Sequence, residues 1–374
     1  MTLNNWQTKK LGEIIKLEYG KPLHKTSRIA DGKYPVYGAN GIKNYSDSFY
    51  FNKPSIIVGR KGSAGEINLT ERKFWPLDVT YFVTFDDKKY DLKFLYNLLI
   101  TLELTKLAKG VKPGINRIDV YSIEVSIPSL LEQCRIVKTL DEVFEKIEKA
   151  KENTEKNLQN SKELFESYLQ KIFADSEKDW EVKRLGDVLQ NTETVNPLNS
   201  PNKEFIYIDV SSVNKENLSV ENTTLIKGKD APSRARKHIK TGDVIFATVR
   251  PTLRRIAVIS EEFDGQICST GYFVLRAKEY LDNKLIYYFL QTKIFNEKMQ
   301  KLQKGASYPA VTDGDVRNQI ISFPKSLSEQ KTIVEKLDVL SEQTKKLEAI
   351  YKQKLSDLEE LKKSVLRKAF NGEL

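Results

Sequence analysis

A chain of 374 residues with 40% apolar side chains is long enough to build two or three domains with proper cores. Two cysteines (Cys134, Cys268) and two histidines (His24, His238) exclude a metal cluster, a disulfide framework and chemistry built on histidine pairs, and no apolar run reaches the roughly 18 residues of a membrane span. The opening Met1-Thr2-Leu3-Asn4-Asn5-Trp6 lacks the regions of a signal peptide, so a cytoplasmic chain is expected, and its net charge of +10 favours a polyanionic partner.

The first globular stretch opens on Trp6-Gln7-Thr8-Lys9-Lys10-Leu11-Gly12 and runs to about Pro128. Residues 34–45 are rich in Gly, Asn, Pro and Tyr and predict an exposed hairpin or loop. Such a loop suits base edges, because Asn pairs bidentately with adenine and Lys reaches guanine or phosphate; Tyr37, Asn40, Lys43 and Tyr45 are its candidates, and a plain turn with packed tyrosines is the alternative. Ser55-Ile56-Ile57-Val58 predicts a buried strand that ends in Gly59-Arg60-Lys61-Gly62-Ser63-Ala64-Gly65. This loop lacks both the Gly-Lys-Ser/Thr ending and the dinucleotide spacing of nucleotide-binding loops, which leaves a DNA contact through Arg60, Lys61 and Ser63, or a simple turn. Phe74-Trp75-Pro76 and residues 79–83 are expected to continue the same sheet, and residues 92–99 to form an amphipathic helix. Residues 109–117 form a second basic loop with Lys112 and Arg117.

Residues 132–173 contain no Gly or Pro and carry an apolar seam at alternating spacings of three and four, the period of helices that pair with helices. The seam is Ile136, Leu140, Val143, Ile147, Ala150 and Thr154, then Ser161, Phe165, Tyr168 and Ile172. At 1.5 Å per residue such a helix spans about 60 Å, a rod able to set a distance.

The plan then repeats. Trp180-Glu181-Val182-Lys183-Arg184-Leu185-Gly186 restates the opening, residues 243–252 take the place of the strand and loop at 56–65, residues 271–275 match 80–83, and residues 304–309 match the loop at 109. The presented side chains differ: Arg234, Arg236 and Lys237 in an expected loop over 231–240, then Arg250, Thr252 and Arg254, then Ser307 and Tyr308. Trp6 to Pro128 is 122 positions and Trp180 to Pro324 is 144, so the second stretch is longer by 22. Residues 329–370 repeat the long helix at a constant offset of 197, with Gln133, Ile136, Val137, Leu140, Asp141, Leu169 and Phe173 returning as Gln330, Ile333, Val334, Leu337, Asp338, Leu366 and Phe370. Their seam is Ile333, Leu337, Leu340, Thr344, Leu347 and Tyr351, followed by Leu355 or Leu358, Leu361 and Val365, and the other copy is its evident partner. The long helices interleave Lys with Glu, whereas residues 21–61 hold eight Lys or Arg against Asp31 and Asp47, and residues 227–255 nine against Asp230 and Asp243. The positive excess therefore sits on the globular parts.

No His-Glu-x-x-His, Cys-x-x-Cys or Gly-x-Ser-x-Gly motif occurs. The nearest string to the Asn/Asp-Pro-Pro-aromatic tetrad of adenine methyltransferases is Asn196-Pro197-Leu198-Asn199, which has Leu and Asn in the last two places. Neither a catalytic centre nor a metal site is expected.

This duplicated order resembles the DNA-specificity subunit of type I restriction-modification enzymes over nearly the whole chain. The resemblance is carried by the two openings, the Tyr34 to Tyr45 string with Gly59-Arg60-Lys61-Gly62 and Trp75-Pro76, the Pro128 to Gln133 and Pro324 to Gln330 leads into the helices, and Leu366-Arg367-Lys368-Ala369-Phe370-Asn371-Gly372-Glu373-Leu374. It implies α/β (α+β) target-recognition domains at 1–128 and 176–324, alternating with helical spacers at 129–175 and 325–374 that pair as an antiparallel coiled coil, in a pseudo-two-fold internal repeat. It further implies that each domain reads one half of a bipartite target on double-stranded DNA, while the helices set the gap and dock two methyltransferase subunits. No cofactor is implied for this chain. S-adenosylmethionine, ATP and Mg belong to partners, namely the adenine methyltransferase and a motor-nuclease restriction subunit. Two other readings stand beside it: a self-contained DNA methyltransferase or nuclease, against which the missing tetrad counts, and a coiled-coil adaptor whose heads bind proteins.

Overall fold

The computed structural model describes residues 6–174 and 180–374; the expected domain boundary at 175/176 lies outside the described residues. In the first pass β1 (Gln7–Lys10), α1 (Leu11–Ile14), β2 (Ile15–Tyr19), β3 (Tyr34–Gly38), β4 (Gly41–Ser46), β5 (Ser55–Gly59), β6 (Ile67–Thr70), β7 (Trp75–Pro76), β8 (Thr80–Phe85), α2 (Leu92–Thr101), α3 (Arg117–Tyr121) and β9 (Glu124–Ile127) lead into the long helix α4 (Leu130–Ala174). In the second, β10 (Trp180–Arg184), β11 (Glu204–Ile208), β12 (Thr224–Lys227), β13 (Ala235–His238), β14 (Val244–Ala247), β15 (Ile256–Val258), β16 (Ile267–Ser269), β17 (Tyr272–Leu275), α5 (Asn283–Gln291), α6 (Lys293–Leu302), α7 (Asp313–Arg317) and β18 (Ile320–Pro324) lead into α8 (Leu327–Phe370). The expected architecture is present: two mixed α/β heads alternate with two long helices. The chain divides into two compact units, one of residues up to 155 with 353–374, the other of residues 156–352, so each unit owns a head and a piece of both long helices.

In the first unit an antiparallel sheet of order β2-β8-β5-β6 packs against α2. The helix begins where the Asp91 carboxylate accepts the Phe94 N–H at 2.8 Å, and its apolar residues 94, 95, 98 and 99 fall on one face against Ile56, Val58, Tyr81 and Val83. A second sheet has the order β4-β3-β7. Trp75-Pro76 belongs to this sheet, parallel to Val36-Tyr37, and does not continue the central one as expected. Pro76 has no N–H for a central ladder, and an edge position tolerates it. Strand β1 pairs antiparallel with β9 and brings the chain opening beside the lead into α4. Leu11, Val125, Ile136, Val137 and Leu140 then share one core with Leu366 and Ala369 of α8. Along these segments Glu148 meets Lys362 at 2.9 Å and Lys151 meets Glu359 at 2.8 Å; one number rises as the other falls, so the helices run antiparallel.

The second unit keeps the frame: β14 lies between β15 and β17, β10 pairs with β18, and the second sheet has the order β12-β11-β16-β13. Leu169 of α4 packs with Leu337 of α8 and Tyr288 of α5. The stretch 231–240, expected as a loop, contains β13, with Ala235 and Ile239 fully buried.

The same joint fixes each head to its long helices. In the first unit the Asp91 N–H donates to Gln133 Oε1 at 2.9 Å, and Gln133 Nε2 donates to the carbonyls of Lys89 and Pro128 at 3.1 and 3.0 Å. In the second, Asp282 N–H, Gln330 and the carbonyls of Tyr280 and Pro324 repeat these contacts at 2.8, 3.0 and 2.8 Å. Lys93 reaches Asp141 at 2.8 Å, and Lys284 reaches Asp338 at 2.7 Å. The seam differs from expectation in places: Tyr168, Leu347 and Leu361 are exposed, while Val137, Leu169, Val334 and Leu366 are buried. Beside a head the buried arc widens, because the long helix there touches both its partner helix and the head.

Candidate nucleic-acid interface

In the first unit the strand-end loop after β5 and the basic loop ahead of α3 are welded together. Gly62 N–H donates to the Pro113 carbonyl at 2.9 Å, and Ile115 N–H to the Arg60 carbonyl at 3.1 Å. The second loop is itself a small hairpin, closed by reciprocal bonds of 3.0 Å between Lys109 and Gly114. Gly110 takes φ +91°, a left-handed value that glycine adopts without strain. The turn between β3 and β4 abuts the same place: a Cβ on Gly59 would lie 2.7 Å from the Ala39 carbonyl.

Cations and rings converge here. Arg60 lies 5.3 Å from the Tyr19 ring and 6.0 Å from that of Tyr81, and Arg117 lies 5.1 Å from Tyr19. Burial above all, then Tyr19, pushes the Tyr81 phenol above its ordinary range, while the charges of Arg60 and Arg117 pull it down. Arg60 Nε and Nη2 both donate to the Asp78 carbonyl, at 3.0 and 2.5 Å, so two of its donor atoms are occupied. Lys61, Lys112 and Arg117 are exposed, and Ser63 is half-buried on the same loop.

The second unit repeats the weld. Arg250 N–H donates to the Pro309 carbonyl at 2.7 Å, Val311 N–H to the Thr248 carbonyl at 2.9 Å, and Lys304 and Ala310 close the hairpin with reciprocal bonds of 2.9 Å. Gly305 occupies the place of Gly110, with φ +101°. Arg250 lies 5.0 Å from the Tyr308 ring. At the sheet position matching Tyr81, Phe273 carries Arg317 at 5.0 Å and Lys237 at 5.7 Å.

The candidates sort by placement. Asn40 and Lys43 are exposed at and beside the β3–β4 turn, with Tyr45 half-buried. Tyr37 is 6% exposed and packs edge-on against Phe74 at 5.9 Å; along the strand its side chain points into the core, so it presents nothing to a duplex. Arg234, Thr252, Ser307 and Tyr308 are exposed. Arg236 is half-buried and donates to the Ala235 carbonyl at 2.9 Å. Lys237 is paired with Asp313 at 2.8 Å, and Arg254 pairs with Glu166 of α4 at 3.3 Å. Lys109, Val111 and Lys304, in the loops already singled out, also belong to these faces, as do Tyr19 and Arg317, which were missed because their contacts with Arg60 and Phe273 join residues far apart in sequence. Among the described residues no group of three His, Cys, Asp or Glu is placed to hold a metal, and no helix is long and apolar enough to cross a membrane.

A family profile described as the type I restriction modification DNA specificity domain matches residues 4–157 and 177–357. The chain is 25% identical over 406 aligned residues to the EcoDI specificity subunit of the type I restriction enzyme of Escherichia coli, covering 99% of this chain and 89% of that one. It is 23% identical over 410 residues to the MjaVIII specificity subunit of Methanocaldococcus jannaschii, covering 99% and 93%. A solved chain from a study of complex assembly and conformational transition of the type I R-M system superposes with a TM-score of 0.76 over 99% of this chain and 98% of its own, at 18% identity, a likeness of fold.

Proposed function

The chain belongs to the type I restriction-modification DNA specificity family, and on that premise we propose that each head reads one half of a split target on double-stranded DNA. The observation that carries this reading is the repeated weld, in which two basic loops meet at the same end of the central sheet in both units but present different side chains. Phosphate contacts from Lys and Arg hold a duplex, and groups that reach base edges choose its sequence. Unequal faces, with Lys61 and Lys112 in one head and Arg250 and Tyr308 in the other, predict unequal half-sites. The domains of this reading are the heads 1–128 and 176–324 and the spacers 129–175 and 325–374, with the spacers setting the gap between half-sites.

Two methyltransferase subunits dock on the long helices in this proposal. Leu164, Val339 and Leu361 are large apolar side chains left exposed on them, and 164 and 361 are repeat-equivalent positions, as two copies of one partner require. Adenine methylation with S-adenosylmethionine, and cleavage driven by ATP and Mg in a restriction subunit, reside in those partners. The test is base-resolution mapping of methylated adenine in cells that express the chain with and without its methyltransferase. A split motif with a fixed gap, seen only when both are present, is expected. Methylation by the chain alone would establish the self-contained enzyme, and a chain that retains no duplex DNA would establish the adaptor.

A further inference from the structure

We propose that the exposed tip of each welded hairpin discriminates bases, with Val111 and Lys112 serving one half of the target and Ser307 and Tyr308 the other; this rests on the DNA-reading function proposed above. The two hairpins share the contacts that anchor them, with tips of four and five residues. Each begins Lys-Gly with the glycine in the left-handed region, each is closed by a reciprocal backbone pair, and each is bonded to the strand-end loop on both sides. They differ only where they project: Gly110-Val111-Lys112-Pro113 lies between the closing residues of the first, and Gly305-Ala306-Ser307-Tyr308-Pro309 between those of the second. A rigid frame with an exchangeable tip is what a chain needs to read two different half-sites with one fold.

The tips stand open to solvent. Val111 is 108% exposed and Tyr308 71%. An apolar side chain held out on a fixed turn between Lys109 and Lys112 gains burial only when a partner arrives, and on DNA the thymine methyl is the apolar group of the major groove. Lys112 beside it has three donors for a guanine edge, and Ser307 either donates or accepts. Two of the five N–H groups of Arg60 serve the Asp78 carbonyl and pin its guanidinium to the sheet end, so the strand-end loop acts as the buttress and the hairpin tip as the projecting reader.

The test selects duplexes from a randomised pool with the full chain and sequences those retained. Replacing residues 110–113 by the sequence of 305–309 is expected to abolish the first half-site preference and leave the second intact. Because the exchanged chain risks misfolding, Val111→Ala and Lys112→Gln are run beside it with thermal melting as the control. Each is expected to melt as the parent does and to lose roughly tenfold discrimination at one base pair of one half-site. Unchanged preferences in both single variants would overturn the assignment of the tips and leave DNA reading standing. A parent chain that retains duplexes without any sequence preference would remove the DNA-reading function itself, and the assignment with it.

Discussion

Gln133 and Gln330 are fully buried, and each spends its amide on three backbone groups that no secondary-structure ladder satisfies. A buried polar group left unpaired costs about 1–3 kcal/mol, so removing the amide is expensive although the side chain is uncharged. Gln133→Leu fills the same volume and strands the Asp91 N–H and two carbonyls; we expect it to destabilise the first unit by about 2–4 kcal/mol, with Gln330→Leu doing the same in the second. Hydrogen exchange locates the loss: protection should fall in β5 and β8 for the first variant and in β14 and β17 for the second. Equal losses in both units for either variant would show that the amide does not act locally. The repeat of these glutamines was plain in the sequence, but their role was not, because the partners Lys89 and Tyr280 stand 44 and 50 residues from the amides that bind them. Tyr37 misled for the opposite reason: turn formers surround it, yet both faces of its strand are covered, Val36 being buried with Leu23 and Leu77 and Tyr37 with Ile57, Phe74 and Phe82.

Among the elements, the long helices were the most legible, since a 3-4 seam runs without Gly or Pro over some forty residues and its key positions recur at a constant offset of 197. What the seam did not disclose is where a third surface joins it. Leu366 and Leu361 stand five apart on α8 and look alike as apolar residues, yet Leu366 is buried in the core of the first head and Leu361 is 48% exposed. Leu366→Ala is therefore expected to cost about 2–5 kcal/mol. Leu361→Ala should stay within about 0.5 kcal/mol in the chain by itself. Urea denaturation measures both, and the reverse order would refute the packing described for α8. The strand β7 was illegible for a related cause. Two residues carry no periodicity, and only the non-local pairing with Val36 and Tyr37 assigns them to a sheet.

At the scale of the whole molecule the net charge is +10, and if both proposed faces hold one duplex, salt becomes a counting device. Among the described residues Lys43, Lys61 and Arg117 on the first face, and Arg234, Arg250 and Lys304 on the second, are exposed and form no ion pair, whereas Lys109, Lys237 and Arg254 are engaged with Asp119, Asp313 and Glu166. If these six cations and no others meet phosphates, affinity falls on the order of 10³-fold between 50 and 200 mM salt, because each contact contributes about −0.9 to the slope of log K against log salt. Neutralising Lys43, Lys61 and Arg117 together as glutamines removes three of the six, so the slope should halve and the same salt step should cost only a few tens-fold. Lys109→Gln, whose partner is Asp119, is expected to leave the slope nearly unchanged. Titrating DNA binding at several salt concentrations decides this. A triple variant with the parental slope would place the phosphate contacts elsewhere on the chain, and a parent with no slope would mean that the heads do not hold DNA by charge at all.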